Sequence, residues 1–282
     1  MIIDCHSHVW DVRRHLSRRF IRDFTSVYGK GEDALEATPD KHFDSMEGVD
    51  KVVVVAFRSR ALRVNVPNAY VSEYAAKHPE EVIPFCCVDP NDEDAPRELR
   101  RCVKAMGMEG LKLGPIYQHY DPTSERAGRV FEAAQDLEIP VLIHQGTTFV
   151  RDAPLEFANP ILLDKVARDY PDLRMIVAHL GHPWEDETVA LIRKQPNVFS
   201  DISGLTYRPT RLYLKLLSCL EYGVMKKLVF GSDFPFGVPK LVIRDLRRVN
   251  RLAKSSGLPM IPDELIEDVI SKNAGQIFLR RP

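Results

Sequence analysis

The sequence predicts an α/β protein folded as a single closed (β/α)8 barrel, and three observations lead there. Short apolar runs rich in β-branched residues recur along the 282 residues, segments with helical spacing separate them, and the length suits one such barrel, which typically takes about 250 residues. Ile2-Ile3 opens the first run, and the others fall at 49–57, 82–88, 110–113, 140–144, 173–179, 198–202 and 228–230, eight in all. They lack polar alternation, as strands covered on both faces of a parallel sheet do. No glycine-rich dinucleotide turn follows the first of them, which favours a closed barrel over an open doubly wound sheet.

In the opening stretch, MIIDCHSHVW, the residues Asp4, His6 and His8 alternate, so in a regular strand all three leave one face while Cys5 packs into the core on the other. Two imidazoles at i and i+2 can grip one divalent metal if the fold supplies further ligands. Residues 11–47 are charged and arginine-rich, and read as an inserted, partly helical loop that serves as a lid or an interface. Further on, Ala127, Val130, Phe131, Ala134 and Leu137 share a helical stripe; so do Leu163, Val166, Ala167 and Tyr170, and Tyr213, Leu216, Leu217 and Leu220. The tail beyond Pro262 reads as closing helices. No linker divides the chain, so one domain is expected over 1–282.

A formal net charge of -1 gives no electrostatic reason for nucleic acid or an anionic membrane as partner, so a small molecule is expected. No apolar run approaches the roughly 20 residues of a bilayer span, no signal-peptide pattern opens the chain, and the five cysteines lack paired spacing. A soluble, cytoplasmic protein with reduced thiols is the expectation. A homo-oligomer is compatible with all of this.

In an α/β barrel the working groups stand where strands end. Here His6 and His8 end the first strand, Lys112 the fourth, His144 the fifth (VLIHQG), His179 the sixth (MIVAHLG) and Asp233 the eighth (LVFGSDFP). Together with GLKLGP, NVFSDISG and SKNAGQIF, these motifs resemble the amidohydrolase superfamily, TIM-barrel metal-dependent hydrolases, over nearly the whole chain. They are similar above all to the amidohydrolase-related branch that contains aminocarboxymuconate-semialdehyde decarboxylase. The resemblance implies that His6, His8, His144 and Asp233 bind zinc and that His179 orients or deprotonates a metal-bound water.

Three imidazoles and a carboxylate suit Zn2+, with Mn2+ as another occupant of the same site. A bound ion would bring the pKa of water to roughly 7, and His179 and Asp233 are the candidate proton carriers. Lys112 has two readings: a free ammonium that meets an anionic substrate or neutralises Asp233, or a carboxylated lysine bridging a second ion. Arg58 and Arg60 follow the second strand and Arg208 the seventh; guanidinium forks suit a carboxylic acid substrate. Trp184, with His182, is expected to line the pocket. Tyr117, His119 and Tyr120 cover substrate or pack, and Asp201 orients a metal-binding histidine. His15, His42 and His78 have no motif around them and read as surface residues. The expected function is metal-dependent hydrolysis of a C–N or C–O bond in a small carboxylate-bearing metabolite. The rival is nonoxidative decarboxylation of an unsaturated or aromatic acid, and a third reading is a catalytically silent metal-binding barrel.

Overall fold

The computed structural model describes residues 1–278. Eight strands appear where the apolar runs predict them: β1 (Ile3–His8), β2 (Lys51–Val55), β3 (Val82–Cys87), β4 (Gly110–Leu113), β5 (Val141–Ile143), β6 (Met175–Val177), β7 (Val198–Asp201) and β8 (Leu228–Val229). Each pairs in parallel with the next. The Cys5 amide donates to Phe230 O at 2.9 Å and Ser7 bridges Phe234, which closes the ring. Helices between successive strands cover the outside, including Glu125–Asp136, Leu163–Asp169 and Pro209–Glu221 over the three predicted stripes. The result is a TIM barrel.

Two apolar layers hold it. Inside the ring, Ile3, Cys5, Val53, Val55, Phe85, Leu142, Ile176 and Val229 form a plug, and a larger core lies between strands and helices. Gly110 opens β4 because the Phe85 ring occupies the space where a Cβ would stand. All five cysteines are buried free thiols. Among the described residues no helix is long and apolar enough to cross a membrane.

The first strand departs from regular alternation. Asp4 pairs with Val52 but Ser7 with Val54, so three steps on β1 match two on β2 and a bulge lies between them. Val52 and Val54 both belong to the outer core, which puts Asp4 and Ser7 on the outward side. The expectation that Asp4 shares a face with His6 and His8 is therefore corrected. Its carboxylate braces the bulge, accepting the amide N–H of His6 at 3.1 Å and of Ser232 at 2.9 Å.

Residues 11–47 are more ordered than a loop. They contain α1 (Val12–His15), α2 (Arg18–Tyr28), a 3-10 turn (Glu32–Leu35) and α3 (Pro39–Ser45). Asp11, Ser17 and Thr38 cap the three helices through their side-chain oxygens, and Gly29 ends α2 at φ 64°. The reading of His15 and His42 as surface residues is also corrected. His15 is buried edge-on against Tyr70 and accepts the Asp11 amide N–H. His42 is wholly buried, with Nε2 2.9 Å from Ser7 Oγ and Nδ1 2.8 Å from Tyr74 OH, and so ties α3 to β1. His78 is half-buried and stacks on Phe43.

Candidate active site

At the carboxyl-terminal mouth of the barrel the strand ends bring His6, His8, Lys112, His144, His179 and Asp233 to one pocket of about 240 Å³. Ligand atoms of His6, His179 and Asp233 all lie within 4.8 Å of one another. His8 Nε2 is 3.2 Å from Asp233 Oδ1, and His144 Nδ1 is 3.2 Å from His179 Nε2. Side chains separated by up to 227 positions in the chain thus converge as the strand-end motifs predict. His179 and Asp233 also hold left-handed backbone, at φ 60° and 58°, so strain gathers here.

Asp201, at the end of β7, organises the histidines. Its Oδ2 accepts His6 Nδ1–H at 3.0 Å, and its Oδ1 accepts the His179 amide N–H at 2.9 Å and the Ser203 hydroxyl. Burial pushes its pKa up, but the electrostatic pull and hydrogen bond of His6, with His179 and the Ser203 hydroxyl, outweigh that and hold it below the carboxylate range. With its proton on Nδ1, His6 turns the Nε2 lone pair inward, where Lys112 Nζ donates to it at 2.8 Å. Burial draws Lys112 down to about 8.

The same reasoning assigns the other rings. The Ser203 hydroxyl proton goes to Asp201, so Ser203 Oγ accepts His179 Nδ1–H at 2.8 Å. A carbonyl can only accept, so His144 donates Nε2–H to Thr147 O at 3.3 Å. Two lone pairs, on His179 Nε2 and His144 Nδ1, then face each other across 3.2 Å. Burial lowers the pKa of both rings, which keeps them neutral, and lowers His8 to about 4 against the opposing pull of Asp233. Burial raises Asp233, but His6, His179 and His8 together hold it ionised. His8 Nδ1 is buried without a hydrogen-bond partner. Facing lone pairs, neutral imidazoles and an ionised carboxylate are what a divalent cation requires, so these residues fit the implied metal.

Aromatic side chains wall the pocket above this cluster: Trp10, Phe20, Tyr28, Tyr117, Phe149 and Phe236. Tyr117 lies 4.6 Å from the His144 ring, while Tyr120 is buried elsewhere and His119 is exposed. Arg208 lines the pocket, its guanidinium donating to Gly204 O at 2.7 Å and lying over the Tyr207 ring. Arg58 and Arg60 do not line it; both side chains are partly open to solvent and lie in ion-pair range of Asp92, at 3.2 and 2.7 Å. Trp184 does not line it either, packing instead against the outer core, whereas His182 does. The walls contributed by Phe149 and Phe236, and the buried Glu185 behind His182, have no strand-end signal. Their nearness to the motifs is the one signal that could have found them.

A family model described as Amidohydrolase matches residues 3–280. The chain belongs to the amidohydrolase family. No curated protein matches it in sequence. Among solved structures, this amidohydrolase is similar to 5-carboxyvanillate decarboxylase LigW from Sphingomonas paucimobilis, at 15% identity and TM-score 0.70 with 98% of each chain covered. It is similar to a probable 2-pyrone-4,6-dicarboxylic acid hydrolase from Acinetobacter baumannii with citric acid bound, at 17% identity and TM-score 0.67 with 98% of each chain covered. It is also similar to dihydroxybenzoic acid decarboxylase from Polaromonas sp. JS666 with bound manganese, at 17% and 0.67, covering 100% of this chain and 98% of that one. At these identities the likeness shows the shared fold. The amidohydrolase is an enzyme of its superfamily, and its chemistry is argued from its own pocket.

Proposed function

We propose that this amidohydrolase is a metal-dependent nonoxidative decarboxylase of an aromatic carboxylic acid. The observation that carries the proposal is the pocket itself, where flat aromatic walls enclose a space above a polar base of histidines and Asp233. Such walls suit a planar ring. The two decarboxylases named above act on aromatic acids by their descriptions, which supports the reading.

In this reading His6, His8, His144 and Asp233 hold one Zn2+ or Mn2+ ion, and Lys112 remains a free ammonium. The ion, when bound, supplies a Lewis acid that anchors substrate oxygen. Arg208 is the one guanidinium among the described pocket-lining residues, and it meets the substrate carboxylate. His179 and Asp233 carry the proton to the ring carbon that bears the carboxylate. The carbon–carbon bond then breaks, its electron pair restores the aromatic ring, and carbon dioxide leaves. One proton is taken up and no water enters the product.

The test uses metal-loaded enzyme with a panel of hydroxybenzoic and other unsaturated acids beside lactones and amides. Carbon dioxide release, with one solvent deuteron at the vacated carbon in heavy water, is expected. Solvent oxygen in the product without carbon dioxide would establish hydrolysis instead, the reading favoured by the likeness to the pyrone dicarboxylic acid hydrolase.

A further inference from the structure

Behind His182, which lines the pocket beside His179, lies a second polar arrangement that the chemistry above does not use. Glu185 begins the helix Glu185–Lys194, and its side chain is wholly buried. Arg211, from Pro209–Glu221, grips it with both arms of the fork, Nε to Oε1 at 2.6 Å and a terminal nitrogen to Oε2 at 2.7 Å. Glu185 Oε1 also accepts His182 Nδ1–H at 2.7 Å. Burial raises the Glu185 pKa, but the bonds from Arg211 and His182 prevail and hold it at about 2.

An ionised carboxylate only accepts, so in the neutral His182 ring the proton stands on Nδ1 and the lone pair on Nε2. The two ring nitrogens diverge. With Nδ1 turned to the buried Glu185 and the residue lining the pocket, Nε2 is the polar atom left on the pocket side, and it makes no hydrogen bond among the described residues. The main chain fixes the ring further: the His182 amide N–H donates to His179 O at 3.0 Å, and His182 O accepts the Thr147 amide N–H at 2.7 Å. Three hydrogen bonds that hold the residue, with one acceptor left unpartnered, describe a preorganised recognition point.

We propose that His182 is a specificity-determining residue, whose Nε2 accepts a hydrogen bond from a hydroxyl on the substrate, with Glu185 and Arg211 as positioning residues that fix its tautomer. The inference rests on the proposed pocket as the substrate site but not on which bond the enzyme breaks. A site built around an unpaired acceptor discriminates against a ligand that lacks the donor, because the acceptor is then desolvated without a partner.

The experiment measures binding of benzoate, its three monohydroxy isomers and their methyl ethers to the metal-loaded enzyme, read by quenching of Trp10 in the pocket wall and by calorimetry. At least one hydroxy isomer is expected to bind about 3- to 10-fold more tightly than both benzoate and its own ether, the range of one neutral hydrogen bond. His182→Phe should abolish that ratio, His182→Gln should retain part of it, and Glu185→Gln should reduce it by loosening the ring. A ratio unchanged in His182→Phe, or benzoates bound with no isomer preferred, overturns the inference and leaves the aromatic-acid reading standing. Failure of every probe to bind overturns both. Metal content of each variant, unchanged from wild type, separates loss of recognition from loss of fold.

Discussion

His42 shows what a single ring can do far from the chemistry. It is wholly buried between Ser7, Tyr74 and Phe234, and burial lowers its pKa to about 3. The unfolded ring titrates near 6.5. Between those values the unfolded chain binds the proton that the folded one refuses, so stability that is complete above about pH 6.5 is lost as pH falls toward 3. Acidification from about pH 7.5 to about pH 5 should therefore remove about 2 kcal/mol through this residue alone. His42→Gln, which does not titrate, should be less stable than wild type near neutrality yet lose about 2 kcal/mol less over the same interval, read by urea denaturation at both pH values. Equal losses in the two proteins would contradict the assignment. Nothing in the local sequence announces this role, because His42 stands in a charged segment and its partners lie 32 and 35 positions away. The strand-end histidines differ in that respect. Each closes an apolar run, so their spacing against the strand pattern made them legible, while the bulge that turns His6 and His8 inward was not.

At the scale of elements, α2 decides how the mouth is covered. Its charged residues make the segment 11–47 look like solvated chain, but Phe20, Phe24 and Tyr28 recur every fourth residue and form one apolar stripe. Phe24 packs its ring against Tyr28, Phe149 and Phe236 at 5.1, 5.7 and 5.9 Å. Two polar ties add to this, Arg151 to Asp23 and Ser26, and Arg19 to Asp152. The aromatic counterparts of this stripe were hidden because they come from loops more than a hundred residues downstream. Phe24→Ala removes the ring at the centre of the cluster, a loss of about 3 kcal/mol or more for a buried aromatic. Since α2 packs on the mouth rather than within the barrel, that loss should appear as local opening. Trypsin should cleave within Arg18–Arg22 on the order of 100-fold faster than in wild type, with the barrel's circular dichroism retained and the Michaelis constant raised. An unchanged cleavage rate would show that the polar ties hold the helix without the ring.

For the molecule as a whole, the question is whether the metal organises the fold or only the site. The inner plug and the outer core are continuous layers of apolar side chains that need no ion, and both lie below or outside the strand ends. The mouth is different. There an ionised Asp233 faces the His6 and His8 imidazoles, and the cation among the described lining residues nearest to it is Lys112, whose ammonium donates to His6. That ammonium offsets part of the carboxylate's charge when no ion is bound, so the barrel should survive metal removal at a moderate cost. If the ion is held at about 100 to 1,000 times its dissociation constant, its binding contributes about 3 to 4 kcal/mol. Chelation should then lower the Tm by about 5 to 10 °C while unfolding remains a single cooperative transition, and wild-type enzyme should carry one ion per chain by elemental analysis. Lys112→Met tests the compensating role: without the ammonium, the metal-free mouth loses its nearest cation, so the gap in Tm between loaded and chelated protein should widen. Two ions per chain, with both lost in Lys112→Met, would instead identify the lysine as a bridging carbamate, and a gap that narrows with one ion bound would remove the compensating charge from the account.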